Sequence, residues 1–490
     1  MRASPAMPRW KIIWLTLLTL TLLTRAGFAQ DANYWSLQYG TRAELLTGAT
    51  TGALLGLSNT YYNPGALSLI KDPTLVLSTF AYALETLDAT NLPGAKAELA
   101  TNRLFTIPSF FAGSLTFNPT RKHFFAYSVL TRQRMDLMLD EKFITPYLNP
   151  DGTIPLSHFA GEGFFGQDLS ETWAGLSWSH RLTARIGVGI TNYVAVRSQS
   201  TRRQFLAQTV TRAGESTAAI GINEFSYSNW RLLWKLGLAA ELESWTLGLA
   251  VTTPSAELFG SGSHFVNLSF IGVDSDSLLS DYQEDLPAHY RSSWAVAAGA
   301  SYKMNRTNLY GSVEWFNAVD RFTVIAGEDF QAQTTGEVFS NSAIQELKSV
   351  INFGFGVEHV FTEKLSLFGS FATDFSAAPA ASSTTNSNWE PYPYVGNSNI
   401  TISNWDIYHI TVGSQFTFMG FELTLGVERA FGSSPVAQFV RFLPETPESP
   451  VDEPREAANV NYGKWELMLG FAYGFGGPQK PGSEPGQDQP

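Results

Sequence analysis

The sequence lacks the residues and motifs that would indicate an enzyme or a nucleic-acid-binding protein. Its 490 residues include no cysteine, which excludes a disulfide scaffold, a thiol nucleophile, a cysteine zinc site and a lipoprotein anchor. The seven histidines are scattered, and there is no Gly-x-Ser-x-Gly, His-Glu-x-x-His or phosphate-loop motif. Only 16% of the residues are charged, and the net charge of −12 argues against nucleic acid as a partner. We therefore expect no catalytic residues, no cofactor and no bound metal.

A long apolar run is also missing, because no segment offers 18 apolar residues in succession. Residues 12–23 are mostly apolar, follow several basic residues and precede the small residues Gly27 and Ala29. This run is too short to span a bilayer, and the pattern is typical of a secretory signal. We predict a signal peptide over residues 1–29, with the mature chain beginning at Gln30.

What the sequence does contain is a series of segments in which apolar residues alternate with polar or small ones. Near the C-terminus one face carries Trp465, Leu467, Leu469, Phe471 and Tyr473, and the other carries Glu466, Met468, Gly470 and Ala472. A period of two predicts β-strands with one apolar face. An exported chain without a spanning helix can cross a membrane only as a closed β-barrel, because only then is every backbone group satisfied in lipid. A soluble β-sandwich also alternates, so the period alone does not decide between the two.

The lengths of the connections favour the barrel. We predict about fourteen strands, separated in turn by connections of a few residues and by long polar or aromatic loops. A barrel with both chain ends in the periplasm requires this alternation, whereas a Greek-key sandwich does not. The predicted fold is therefore all-β, a transmembrane antiparallel β-barrel over residues 73–476. The predicted strands are 73–88, 103–117, 122–138, 169–181, 184–200, 225–241, 243–254, 286–303, 307–325, 347–361, 364–374, 404–418, 420–430 and 462–475.

The stretch before the first predicted strand, residues 30–72, is rich in Gly and Ala. It contains Tyr61 and ends in the turn signal Asn63-Pro64-Gly65. In its position in the chain and in its residue pattern it resembles the N-terminal hatch of the FadL-like outer-membrane transporters. The resemblance implies that residues 30–72 form a hatch, or plug, in the lumen.

Later segments are similar to strand patterns of the same family and follow in the same order, for example at 286–302 and 310–315. The resemblance covers about residues 31–476 and implies passive uptake of hydrophobic small molecules, such as long-chain fatty acids or aromatic hydrocarbons. The alternative is a FadL-like barrel that acts as a shuttle, anchor or scaffold of a protein secretion system. One departure is that the third predicted strand, 123–139, lacks the Gly or Pro expected at the kink of a lateral opening.

Two groups of residues are candidates for ligand binding. The first is a set of aromatic side chains in a predicted loop over 143–165. Exposing these apolar side chains to water would be costly, which indicates that they bind a hydrophobic ligand. They are Phe143, Tyr147, Phe159, Phe164 and Phe165. Packing on neighbouring loops or contact with lipopolysaccharide is the alternative interpretation.

The second group consists of basic residues at predicted inward positions, Arg231, Lys235 and Lys464. Their charges could hold a ligand carboxylate through charge-assisted hydrogen bonds. The alternative is that they pair with inward glutamates, and the sequence offers Glu466, Glu422 and Glu428.

The remaining expectations concern surroundings. The tail, residues 477–490, is rich in Pro and Gly and predicts a disordered periplasmic segment. We expect a monomer in the bacterial outer membrane, with both termini in the periplasm. Its expected partners are outer-membrane lipid and lipopolysaccharide, the barrel-assembly machinery and a hydrophobic small-molecule ligand.

Overall fold

The computed structural model describes eleven stretches of the chain. They are residues 31–70, 74–90, 99–115, 122–147, 157–211, 216–272, 277–379, 396–401, 403–418, 420–436 and 458–474. The predicted signal peptide and the predicted C-terminal tail lie outside the described residues.

The described residues are mostly β-strand. The strands are β1 Thr74–Thr90, β2 Leu99–Ser114, β3 His123–Tyr147, β4 Ser157–Arg181, β5 Ile186–Thr211, β6 Ser216–Glu241, β7 Trp245–Thr252, β8 Ala256–Ile271, β9 Ser277–Pro287, β10 Ala295–Met304, β11 Thr307–Phe316, β12 Val319–Ala326, β13 Phe330–Gln331, β14 Val338–Phe339, β15 Ser342–Leu347, β16 Val350–Thr362, β17 Leu365–Asp374, β18 Asn397–Asn399, β19 Ile407–Phe418, β20 Phe421–Val436 and β21 Ala458–Gly474.

Fourteen of these strands form a closed antiparallel barrel in the order β1 to β7, then β10, β11, β16, β17, β19, β20 and β21. The ring closes where β1 pairs with β21, from Thr74 opposite Gly474 to Thr90 opposite Asn459. The predicted fold class and the predicted number of strands are therefore confirmed.

The apolar and polar residues that alternate in the sequence point to opposite faces of the barrel wall. In β16, Ile351 and Phe355 point outward and are 53% and 60% exposed, whereas Asn352 and Glu358 point inward and are 0% and 3% exposed. Leu467 in β21 is likewise outward at 43%. An apolar outer face and a polar inner face are the reverse of a soluble protein and suit a surrounding of lipid.

The wall is much taller on one side than on the other. Strands β3 to β6 have 25 or 26 residues each, whereas β7 has eight and β10 and β11 have ten each. The hairpin of β8 and β9 extends the tall side, because β8 pairs with the upper part of β6. A small sheet of β12, β15 and β18 and a short hairpin of β13 and β14 lie outside the barrel ring.

Several predicted strand boundaries are wrong, because the prediction did not include the strands that lie outside the barrel ring. Residues 256–287 contain two strands where we predicted a loop, and the predicted strand 286–303 begins only at Ala295. The predicted strand 307–325 is divided into β11 and β12.

The predicted loop over 143–165 is also wrong. Strand β3 continues to Tyr147 and β4 begins at Ser157, and the two residues lie opposite each other in the ladder. Phe143 pairs with Gly161 in the same ladder. The backbone hydrogen bonds of these residues are thus satisfied within the tall sheet, which a loop would have left to water.

Residues 31–70, which we call the N-terminal segment, contain the only helices among the described residues. These are the α-helices Thr41–Leu45 and Asn59–Tyr62 and the 3₁₀ turns Gly56–Ser58 and Pro64–Leu69. No helix in the described part of the chain has the length and apolar character needed to cross a membrane.

The N-terminal segment is almost entirely buried and contacts strands from many sides of the barrel. Its hydrogen bonds join Ser68 to Ser179 of β4, Asn63 to Leu238 of β6, Trp35 to Glu314 of β11, Asn33 to Asp374 of β17 and Ser36 to Lys464 of β21. Contacts to strands around the ring place this segment within the lumen.

Candidate functional site

A cavity of about 40 Å³ lies between the N-terminal segment and the inner wall of the barrel. Five aromatic rings, several charged groups and a few hydroxyls form its surface. The lining residues are Tyr34, Tyr61, Arg132, Gln133, Glu171, Trp173, Thr252, Tyr290, Ser292, Ser293, Ala295, Glu314, Phe316 and Leu347. Rings combined with a few fixed polar groups are typical of sites for small organic ligands.

One carboxylate of the cavity, Glu171, is held by two arginines. Its Oε2 lies 2.9 Å from Arg197 Nη1, and its Oε1 lies 2.9 Å from Arg231 Nη2. The indole of Trp173 also donates a hydrogen bond to Oε1, at 2.7 Å. The two guanidinium groups contact the ring of Tyr290, at 4.2 and 4.4 Å from its centroid. Because each partner is buried and held by several contacts, this group is a rigid wall of the cavity.

The other carboxylate, Glu314, connects the N-terminal segment to the barrel. Its Oε2 accepts a hydrogen bond of 2.8 Å from the indole of Trp35, and its Oε1 lies 3.7 Å from Lys235 Nζ. The ammonium group of Lys235 also lies 4.1 Å from the ring centroid of Tyr61. A shift of the N-terminal segment would therefore disturb the charge balance of the cavity directly.

Arg132 occupies a β-bulge of β3, since the register with β4 shifts between Thr131 and Gln133. Its side chain is only 7% exposed, and its Nη1 donates to the carbonyl of Tyr34 at 2.7 Å. Three rings surround its guanidinium, with centroids at 5.9 Å for Tyr34, 5.9 Å for Tyr61 and 5.5 Å for Trp173. The bulge thus turns a cation into the cavity.

The barrel wall is open beside this bulge. Strands β2 and β3 pair at five positions only, from Phe110 opposite Leu130 to Ser114 opposite Ala126. Strand β2 nevertheless continues to Leu99 on β1, and β3 continues to Tyr147 on β4. Over the described parts of both strands, no pairing joins them beyond Phe110. We call this opening, between residues 99–109 and 131–147, the β2–β3 seam.

Two local features account for the point at which the seam begins. Continuing the register beyond Phe110 would bring Pro108 opposite Arg132. Pro108 has no backbone N–H to donate, and the bulge at Arg132 turns β3 away from the ladder. The prediction looked for Gly or Pro in the third strand. The interrupting proline, Pro108, lies in β2 instead, and β3 is interrupted by the bulge at Arg132.

The predicted hatch residues Asn63, Pro64 and Gly65 lie against the wall. The Asn63 side chain accepts from the Gly65 N–H at 3.1 Å and donates to the carbonyls of Thr51 and Leu238 at 2.9 and 3.0 Å. A Cβ on Gly65 would lie 2.6 Å from the Gly237 carbonyl oxygen, so only glycine permits this approach.

Asp374 of β17 holds the start of the N-terminal segment through its carboxylate. Its Oδ1 accepts hydrogen bonds of 2.9 Å from the backbone N–H groups of Tyr34 and Trp35. Its Oδ2 accepts one of 2.8 Å from the hydroxyl of Ser36. Three hydrogen bonds from adjacent residues to one buried carboxylate hold this end of the segment against the barrel.

The predicted aromatic group is not brought together at the cavity. Phe165 is 1% exposed on the inner face of β4, Phe164 is half-buried on the opposite face, and neither lines the cavity. The backbones of Phe143, Tyr147 and Phe159 are strand, and their side chains lie outside the described part of the structure.

The predicted basic residues are inward and buried, but each has a carboxylate partner. Lys464 pairs with Glu466 at 2.7 Å, as the alternative interpretation expected. For the other two the expected partners are wrong, because Arg231 contacts Glu171 and Lys235 contacts Glu314.

Sequence reasoning missed Arg132, Glu171 and Glu314 as cavity residues. Their only sequence signal is a charge at an inward position of a predicted strand, which Arg132 loses because the bulge breaks the period of two. No group of three or more His, Asp or Glu that could hold a metal was found among the described residues.

No family model matches the sequence, and no curated protein matches it. Solved structures do match its fold. A FadL homologue from Pseudomonas aeruginosa aligns with a TM-score of 0.56 and 12% identity, over 91% of this chain and 100% of the other. The toluene transporter TbuX from Ralstonia pickettii aligns with a TM-score of 0.55 and 11% identity, over 90% and 99%.

The toluene transporter TodX from P. putida gives the same picture, with a TM-score of 0.55 and 11% identity over 89% of this chain and 99% of the other. The fold expected from the resemblance is confirmed by these alignments. At such identities the likeness concerns the fold, and the ligand has to be argued from this chain's own residues.

Proposed function

We propose that this chain, whose fold is that of FadL homologues and toluene transporters, carries hydrophobic small molecules across the bacterial outer membrane by passive diffusion. The observation that carries the proposal is the β2–β3 seam, which begins beside Arg132, one of the residues that line the internal cavity. Unpaired strand edges are costly in a membrane, so an unpaired ladder beside a cavity favours a role for this opening in ligand passage.

The outward apolar residues support the membrane location, because a barrel with this face needs lipid around it. In this proposal both termini lie in the periplasm, the protein acts as a monomer, and the barrel-assembly machinery inserts it. Long-chain fatty acids and monoaromatic hydrocarbons are both candidate cargoes, since the structural neighbours named above include a FadL homologue and two toluene transporters.

We further propose that residues 30–72 are the hatch. A fourteen-stranded barrel is too wide for its own side chains to fill, so the lumen needs a plug. The buried contacts of the N-terminal segment to β4, β6, β11, β17 and β21 support this role. The aromatic residues Phe143, Tyr147, Phe159, Phe164 and Phe165 remain candidates for first contact with a ligand on the tall side of the barrel.

Uptake into proteoliposomes tests the proposal. Vesicles that have lipopolysaccharide in the outer leaflet and contain residues 30–490 should take up radiolabelled oleate or toluene several-fold faster than protein-free vesicles of the same lipids, and a proton uncoupler should have no effect. Vesicles carrying a heat-denatured sample are the matched control. Uptake of both compounds no faster than in protein-free vesicles, together with a protein that co-purifies in fixed proportion from native membranes, would favour the secretion-scaffold alternative.

A further inference from the structure

The cavity lining contains one cation, Arg132, and two carboxylates, Glu171 and Glu314. Three further cations, Arg197, Arg231 and Lys235, lie behind the lining and pair with these carboxylates. All six side chains are at least nine-tenths buried. Together they carry four positive and two negative charges, and because uncompensated buried charge is costly, this group is electrostatically complementary to an anion.

One of the two excess positive charges belongs to Arg197 and Arg231, which share Glu171, and the other is that of Arg132. Glu171 is occupied by Arg197 and Arg231, and Glu314 is occupied by Lys235 and Trp35. Arg132 forms no ion pair with any described carboxylate. Its guanidinium carries five N–H donors, of which one donates to the carbonyl of Tyr34, and it also interacts with the hydroxyl of Tyr39.

The surroundings of Arg132 favour a flat ring over a flexible chain. The cavity is lined by five aromatic rings, and its aliphatic lining is limited to Leu347 and the methyl group of Ala295. Rings stack on rings and on guanidinium planes, whereas an alkyl chain gains little from such partners.

We propose that the cavity binds small aromatic carboxylates and that Arg132 is the residue that fixes their carboxylate group. The ring of the ligand lies among Tyr34, Tyr61 and Trp173, and the guanidinium provides a charge-assisted, bidentate contact. Arg132 thereby favours aromatic acids over neutral hydrocarbons such as toluene. This inference rests on the proposed function, because it names the ligand class of the same transport site.

The test is a comparison of matched ligands on the full mature protein in detergent micelles. 4-Methylbenzoate is the aromatic acid, 4-methylbenzamide is its uncharged isostere, octanoate is an aliphatic acid of the same charge, and toluene is the neutral hydrocarbon. Dissociation constants are measured by equilibrium dialysis in sealed cells at pH 7.4. We expect 4-methylbenzoate to bind at least about tenfold more tightly than the amide, as loss of a hydrogen bond to a charged group predicts. We also expect it to bind more tightly than octanoate, which keeps the carboxylate but has no ring to stack.

Three variants identify the residue. Arg132→Met should weaken 4-methylbenzoate binding by about 10- to 100-fold and toluene binding by a much smaller factor, because it removes the charge but keeps an apolar side chain. Arg132→Lys should retain part of the preference, since it keeps the charge and loses the bidentate geometry. Arg429→Met is the control, because Arg429 lies at an outward position of β20, over the ring of Trp465. Heat-dependent migration on gels shows that each variant forms the barrel.

Each outcome bears on the proposal. Equal binding of the acid and its amide, or undiminished acid binding by folded Arg132→Met, would refute the role of Arg132. Tighter binding of octanoate than of 4-methylbenzoate would refute the aromatic part. If toluene binds and passes while no acid binds, this inference fails and the proposed function stands. If neither toluene nor oleate binds or passes, the proposed function itself fails.

Discussion

Single residues decide how closely the N-terminal segment fits the barrel. Glycines of the wall are as important here as glycines of the segment, because Gly237 of β6 faces the Asn63 side chain and the backbone of Pro64 and Gly65. Glu44, in the helix Thr41–Leu45, is a buried carboxyl whose Oε1 accepts a hydrogen bond of 2.6 Å from Ser109 of β2. The two sites lead to separate predictions.

The first prediction concerns Gly237. Gly237→Val should displace the N-terminal segment without preventing barrel formation, because the new side chain collides with Asn63 and Gly65 and such overpacking costs about 1–3 kcal/mol. We expect a several-fold increase in the influx of a small hydrophilic antibiotic into cells that express the variant. Gly369→Val is the matched control, since a Cβ at Gly369 has no neighbour within 4 Å. Equal influx for the two variants would show that the segment does not close the lumen.

The second prediction concerns Glu44 and pH. Burial raises the pKa of Glu44 from 4.5 to about 8, and the carboxylates of Glu466 and Glu428 act in the same direction, whereas the Ser109 hydrogen bond opposes the shift. The packed segment therefore keeps a proton that a released segment would lose between these pH values. Packing is strongest below pH 4.5 and weakens as the pH rises toward 8, by at least about 3 kcal/mol in total.

Hydrogen exchange of residues 31–70, followed by mass spectrometry between pH 5 and 9 and corrected for intrinsic rates, measures this effect. Protection should fall with pH in the natural protein. Glu44→Gln should remove most of that dependence, because the amide does not ionise between pH 5 and 9. An unchanged pH profile in Glu44→Gln would assign the titration to another group.

At the scale of elements, the β2–β3 seam is the main departure from a regular barrel. It arises where Pro108 of one strand and the bulge at Arg132 of the next interrupt the same ladder from both sides. The hydroxyl of Tyr39 donates to the Arg132 carbonyl at 3.4 Å, so the N-terminal segment supplies one of the hydrogen bonds that the missing ladder does not. The seam and the segment are therefore mechanically connected.

The third prediction uses the absence of natural cysteines. In a Thr106→Cys, Arg134→Cys double variant the thiols should stay free under mild oxidation, because the strands have separated there and a disulfide needs Cα atoms within about 7 Å. Two control pairs lie across the paired part of the ladder, Phe111 with Val129 and Ala112 with Ser128. Narrow and wide pairs alternate along an antiparallel ladder, so at least one control pair should cross-link.

Gel migration and peptide mass spectrometry measure the cross-links. Rapid disulfide formation between positions 106 and 134 would mean that the seam is closed in the membrane. Joining these two positions with a longer dithiol reagent should then reduce ligand uptake, as closing the proposed route requires.

The sequence predicted these elements unevenly, for physical reasons. The two faces of β16 and β21 were predictable, because the period of two is a local property of the chain. The upper parts of β3 and β4 were not, since their strand character comes from hydrogen bonds to neighbours and their composition is typical of a loop. The partners of Arg231 and Lys235 were not predictable either, because the alternation gives the face of a residue and not the strand that meets it within the lumen.

The whole molecule combines an apolar outer belt, a wall of unequal height and a filled lumen. The belt determines whether the barrel enters a bilayer at all, and its contribution depends on depth. Leu467 lies in the middle part of β21, whereas Phe418 is the last residue of β19, beside a short turn. Both point outward and are exposed, at 43% and 59%.

The fourth prediction compares these two positions. Leu467→Arg should destabilise the folded barrel by about 2–4 kcal/mol, and Phe418→Arg by about 0–1 kcal/mol, because an arginine is costly at the bilayer midplane and tolerated near its surface. Urea titrations in lipid vesicles measure both values, with heat-dependent gel migration as the readout of folding. Equal destabilisation at the two positions would contradict the proposed placement of the belt.

The pairing of β1 with β21 has a consequence for the order of biosynthetic assembly. This ladder joins sixteen residue pairs, and its partners are separated by roughly four hundred positions in the chain. Closing so long a loop loses much chain entropy before any contact is gained, which makes it a slow step. Until that ladder forms, the N-terminal segment, which directly precedes β1, can enter the lumen through the gap between β1 and β21. The last of the described strands thus closes the wall around the N-terminal segment.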